Sequence, residues 1–137
     1  MIIDTESEMM SFGEKIAEAL DCPMTVELIG DVGIGKTTLV KGIARGLGID
    51  EEVTSPSFTL SKVYIARKKD FTLRHYDFYR LANPGIMLEE LTESVNDEGT
   101  ITLVEWGESV EGVLPEGRMR IFIRYCDDGS REIEVKK

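Results

Sequence analysis

Two compact runs of apolar and β-branched residues, Thr25–Ile29 (TVELI) and Thr100–Val104 (TITLV), have the composition of buried strands. Around them the period changes. Ser7–Leu20 places Met9, Phe12, Ile16, Ala17 and Leu20 close to helical spacing, with Ser7 in position to cap the helix. Lys36–Leu47 reads as a second helix, closed by Gly48 where a left-handed conformation is favoured. Thr59–Ile65 and Phe71–Tyr76 read as an antiparallel hairpin whose turn carries Arg67, Lys68 and Lys69. Asn83-Pro84-Gly85 breaks the chain, Met87–Val95 follows as an acidic amphipathic helix, and Asp97-Glu98-Gly99 returns the chain to the core. Met119–Tyr125 and Arg131–Val135 flank Asp127-Asp128-Gly129, the signal of a terminal hairpin. A βαβ-like start combined with hairpins predicts an α/β sandwich with a mixed parallel/antiparallel sheet.

Size and charge narrow this picture. The chain has 137 residues, of which 42% are hydrophobic, enough for one core and too few for a second lobe. A single domain over residues 1–137 is expected. No apolar run approaches the ~18 residues of a membrane span, and the opening MIIDTESEMM lacks the basic and apolar regions of a secretory signal. The expected compartment is the cytoplasm. The net charge of −10 argues against a broad basic face for nucleic acid. No direct DNA binding is expected, and any link to RNA runs through a partner. Cys22 and Cys126 form neither a disulfide framework nor a zinc pattern, and read as small buried hydrophobes.

The chemistry enters with Gly30-Asp31-Val32-Gly33-Ile34-Gly35-Lys36-Thr37, which satisfies G-x-x-x-x-G-K-[ST] at every fixed position. Glycines let consecutive backbone N–H groups from Asp31 through Ile34 to Thr37 converge on phosphate oxygens. A helix starting at Lys36 adds the positive end of its dipole at the same point. Lys36 would reach the β- and γ-phosphates, Thr37 would ligate Mg²⁺, and Thr38 would touch the α-phosphate. The motif sits between a predicted strand and a predicted helix, which is the setting this chemistry requires. The expected ligands are ATP and Mg²⁺ in a P-loop NTPase-like three-layer sandwich. Magnesium needs further oxygens, and Glu105 and Asp77, each ending a predicted strand, are the candidates. Either could hold the metal or orient the attacking water.

Four segments together resemble the TsaE (YjeE) family: the P-loop with its helix, then VTSPSFTL, HYDFYRL and TLVEW, in order and at fitting separations. The resemblance spans about Phe12 to Leu114. It implies a cytoplasmic ATPase of bacterial tRNA threonylcarbamoyladenosine biosynthesis that joins the partner proteins TsaB and TsaD, touching tRNA only indirectly. It further implies that Lys36, Thr37 and Thr38 serve phosphate and magnesium, that Glu105 is the metal-ligand acid, and that Asp77 is an acid needed for activity. Catalytic roles thus fall on Asp77, Glu105 and Lys36. Ser55–Thr59 corresponds to a switch-like loop, Trp106 to a tryptophan near the site, and Arg131 to an arginine near the nucleotide. The family usually has Thr at Ser57 and Pro at Gly107, so a looser loop after Glu105 is expected. The Leu88–Asn96 region matches in length alone.

Several residues also have plain readings. His75, the only histidine, is expected to make a structural hydrogen bond. Tyr76, Phe78, Tyr79 and Trp106 are expected as core or rim aromatics, and Glu89–Glu98 as a solvated helix face with partner docking as the alternative. No arginine is obviously placed as a finger; Arg80 is nearest in sequence, so slow turnover alone is expected. A small-molecule kinase, a GTPase switch and a nucleotide-gated scaffold remain rival readings, although no Asn-Lys-x-Asp segment for guanine is present.

Overall fold

The computed structural model describes residues 1–31, 33–54, 61–66, 70–79 and 85–137, with Ile86 described by its backbone. Its elements are β1 (Ile2–Ile3), α1 (Glu6–Ala19), β2 (Met24–Ile29), α2 (Lys36–Gly46), β3 (Ser61–Ala66), β4 (Phe71–Asp77), α3 (Ile86–Asn96), β5 (Thr100–Glu105), a 3₁₀ turn (Gly107–Val110), β6 (Met119–Tyr125) and β7 (Arg131–Lys136). One seven-stranded sheet takes the order β1-β7-β6-β2-β5-β4-β3. The central strands β6, β2, β5 and β4 pair in parallel; β3 pairs antiparallel with β4 on one edge, and on the other β7 pairs antiparallel with β6 and β1 antiparallel with β7. This is the expected α/β fold with a mixed sheet. β1 escaped sequence reading because two residues carry no period.

Alternation along the central strands creates the layers. Val26, Leu28, Leu73, Ile101 and Leu103 pack with Met9, Ile16 and Ala17 of α1 and Leu39, Val40 and Ile43 of α2. Tyr76 and Val104 turn the other way and pack with Leu91 of α3 and with Val110 and Leu114. β5, covered on both faces, is buried along its whole length.

Helix ends follow their local chemistry. The Thr5 side chain, not Ser7, caps α1: its hydroxyl accepts from the Glu8 N–H at 3.1 Å, and Glu6 and Glu8 lie in the first turn. The end of α2 is a Schellman motif, with Ile49 N–H donating to the Ala44 carbonyl (3.0 Å) and Gly48 N–H to that of Arg45 (3.1 Å). Gly48 there has φ 77°, as expected. Cys22 and Cys126 are half-buried, less sequestered than expected.

α1 and α2 cross closely because glycines line the contact. A Cβ at Gly42 would lie 2.2 Å from the Met10 carbonyl oxygen, and one at Gly13 would lie 2.5 Å from that of Leu39. In an open helix, Gly→Ala stabilises by about 0.5–1 kcal/mol. Here overpacking reverses the sign: Gly42→Ala is expected to cost about 1–3 kcal/mol. Urea unfolding reads the effect as a lower midpoint; a raised midpoint would contradict the close crossing.

Candidate functional site

The parallel strands deliver their C-terminal ends to one edge of the sheet, where open α/β sheets form binding crevices. β2 runs there into the glycine-rich loop. Gly33 and Gly35 adopt φ 79° and 113°, conformations that L-residues with a side chain seldom take. Gly35 is the N-cap of α2 and supplies no side-chain cap, and the first turn of α2 holds no acidic residue. α1 and α2 therefore differ: α1 has its own hydroxyl cap and carboxylates, whereas α2 has neither, the kind of helix start at which anions are favoured.

The opposite wall comes from β4 and β5. Asp77 and Glu105 are register partners on adjacent parallel strands, so both carboxylates leave the same face at the same level. Both are buried, as is Lys36. Lys36 Nζ donates to the Gly30 carbonyl at 2.6 Å, stands 3.8 Å from Glu105 Oε1 and lies 4.2 Å from the centre of the Trp106 ring. Burial lowers the lysine's pKa below its ordinary value, and the nearby carboxylates, Glu105 foremost, oppose that shift. The second oxygen of Glu105 pairs with His75 Nε2 at 2.5 Å. The structural role expected of His75 is thus specific: it anchors the proposed metal-ligand acid from beneath. Asp77 accepts the Tyr79 N–H at 2.9 Å, and the Tyr79 ring packs on Trp106 at 4.8 Å between centroids. Tyr79 and Trp106 are the rim pair; Tyr76 and Phe78 stack in the core.

Gly33, Gly35, Lys36, Thr37, Thr38, Asp77 and Glu105 line one cleft of about 280 Å³. Asp31 and Ile34 stand outside that lining: Asp31 is exposed, and Ile34 is buried in the core, its side chain against Gly30. Val32, the Ser55–Thr59 loop, the Arg67–Lys69 turn and Arg80 fall outside the described residues.

Arg131 also lines the cleft, from the start of β7. Its Nε is buried with no hydrogen-bond partner among the described residues. Tyr125, across the same hairpin, donates its hydroxyl to the Gly33 carbonyl at 3.2 Å. The terminal hairpin thus props the loop and aims a cation at it. Nothing local in the sequence marks Arg131 for this place; the resemblance alone pointed there. Glu6 and Met9 of α1 complete the wall and were missed, because a helix face shows its period but not its neighbour.

Gly107 follows the site directly and is buried, with a Cβ position 2.8 Å from Glu27 Oε2. The glycine that made a loose loop seem reasonable is used for close packing.

Residues 3–133 match the family described as "Threonylcarbamoyl adenosine biosynthesis protein TsaE". The chain is 44% identical over 128 residues to the tRNA threonylcarbamoyladenosine biosynthesis protein TsaE of Treponema pallidum (strain Nichols), covering 90% of each. Against the protein of that name from Haemophilus influenzae, identity is 39% over 139 residues, covering 97% of this chain and 85% of the relative. The crystal structure of Bacillus subtilus YdiB superposes with a TM-score of 0.80 at 33% identity, over 97% of this chain and 80% of that one. With the family match covering nearly the whole length and these identities along it, the chain belongs to the TsaE family.

Proposed function

We propose that this chain is a Mg²⁺-dependent ATPase of one domain, residues 1–137, acting in the cytoplasm in tRNA N6-threonylcarbamoyladenosine synthesis. Its turnover is slow alone and rises on assembly with TsaB and TsaD. The observation that carries this reading is the uncapped start of α2 facing two in-register strand-end carboxylates across one cleft. A polyphosphate satisfies the first, and a cation bound to that polyphosphate satisfies the second.

The donor set fits the ligands. Main-chain N–H groups of the loop at Gly33 and Gly35 and of the helix start at Lys36 and Thr37, with the Lys36 ammonium, hold the β- and γ-phosphates, and Thr38 meets the α-phosphate. On binding, Lys36 exchanges the Gly30 carbonyl and Glu105 for phosphate oxygens, which releases one oxygen of Glu105. Among the described residues, no three His, Cys, Asp or Glu side chains gather to hold a metal unaided. Thr37 and Glu105 would hold Mg²⁺ together with phosphate oxygens and water, and the ion would offset charge on the leaving phosphate. Asp77 positions the attacking water or the metal's water. The unpartnered Arg131 Nε supports a contact to the nucleotide. Among the described residues no helix is long and apolar enough to cross a membrane.

A cationic group supplied in trans raises phosphoryl transfer by roughly 10³–10⁵. ATP hydrolysis by the purified chain, followed by phosphate release, is therefore expected to be slow and to climb steeply when TsaB and TsaD are added. A rate unmoved by both partners would contradict the proposal.

A further inference from the structure

Glu27 stands in the middle of β2, a central strand, and a buried carboxylate is costly unless paired. Its neighbours Val26 and Leu28 join the core under α1 and α2. Glu27 turns the other way, level with Val104 and Arg120. There Arg118 Nε donates to its Oε1 at 2.8 Å, and both side chains are almost fully buried. The other guanidinium nitrogens are also committed: Nη1 to the Pro115 carbonyl at 2.9 Å and Nη2 to Glu111 Oε1 at 2.7 Å. Arg120 flanks the pair, 3.7 Å from Glu27 and 3.8 Å from Glu111. A planar fork with each end tied holds the carboxylate in one orientation.

The second oxygen of that carboxylate faces Gly107. A Cβ on Gly107 would come within 2.8 Å of Glu27 Oε2 and 3.1 Å of Leu114 Cδ1. The Trp106–Glu108 segment and the end of β2 from Glu27 to Asp31 together border a second cleft of about 190 Å³. Close packing on Gly107 comes from Glu27, Leu114 and Val104. Trp106 itself has φ 58° and ψ 51°, a left-handed conformation that a residue with a side chain keeps only where its surroundings over-determine it.

We propose that Glu27, clamped by Arg118, is a positioning residue that seats the Trp106–Gly107 turn. It thereby sets where the indole meets Lys36 and where β5 presents Glu105. Neither Glu27 nor Arg118 lines the 280 Å³ cleft of Lys36 and Glu105, so the effect passes through the turn. The kinetic part of the test rests on the ATPase reading; the optical part does not, because Trp106 is the only tryptophan and reports its own surroundings.

Three full-length variants decide the matter. Arg118→Lys keeps the charge but loses the fork. Gly107→Ala pushes a methyl group against the carboxylate, and Gly107→Ala combined with Glu27→Asp moves one methylene from strand to turn. The first two are expected to shift Trp106 emission and increase its quenching by acrylamide without nucleotide. They should also lower kcat about tenfold with KM held within about twofold, as expected when reacting groups are misplaced and uniform binding is not lost. The combined variant should regain most of both properties. Native emission and kcat in Arg118→Lys would overturn the proposal, and so would a combined variant no better than Gly107→Ala alone. If Gly107→Ala does not fold, Arg118→Lys decides. A native chain that hydrolyses no ATP overturns the ATPase reading, while the emission series still settles the position of the turn.

Discussion

Lys36→Ala is expected to remove nucleotide binding while leaving the fold in place. The ammonium is buried and held by a carbonyl, a carboxylate and an aromatic face. In the proposed complex it trades those contacts for phosphate oxygens in the same cleft. Truncating one member of such a buried charge pair costs roughly 2–5 kcal/mol. At 1.4 kcal/mol per decade, ATP affinity should fall by about thirtyfold or more. Stability should also fall, because loss of the ammonium leaves Glu105 and Asp77 buried side by side without their cation; relief of the lysine's own burial cost offsets part of that loss. Calorimetric titration with ATP measures the first effect and thermal unfolding the second. Unchanged affinity in a folded variant would remove Lys36 from the site, and with it the reason to place phosphates at the start of α2.

The glycine-rich loop was legible because its requirements are local. Left-handed glycines, a lysine and a hydroxyl follow one another within a single turn of chain, and Gly33, Gly35, Lys36 and Thr37 stand where those requirements put them. The burial of β2 and β5 was legible for a similar reason, since a run such as TITLV has few other uses. Asp77 and Glu105 could each be placed at a strand end, yet their pairing could not be read. Parallel register is set by packing between strands distant in sequence, and a slip of one residue would have sent one carboxylate to the opposite face. The same non-locality hid the bond from His75 to Glu105, and it left the return of Arg131 to the cleft to the resemblance alone. Glu27 was different. A carboxylate inside a strand otherwise suited to burial is an anomaly visible in TVELI, although its partner Arg118 could be found only in the folded chain.

Glu105→Ala is expected to act in opposite directions with and without magnesium. Glu105 places a negative charge beside Lys36, at the level where Asp77 adds another. For ATP without metal, that charge repels the phosphates, so its removal should leave affinity unchanged or improve it. With Mg²⁺ present, the carboxylate is one of the few protein oxygens available to the ion, and its loss should weaken binding by about tenfold or more, the lower range for a displaced metal-site contact. Turnover should fall further than binding, since the metal's charge matters most when charge develops on the leaving phosphate. Glu105→Gln separates charge from shape: it keeps a hydrogen-bonding oxygen toward His75 but lacks the anion. It should therefore reproduce the magnesium-dependent loss while disturbing the His75 contact less than the alanine does. Titrations with and without Mg²⁺ on both variants supply the comparison. Equal losses under the two conditions would assign Glu105 to the architecture of β5 and leave the metal to Thr37 and Asp77.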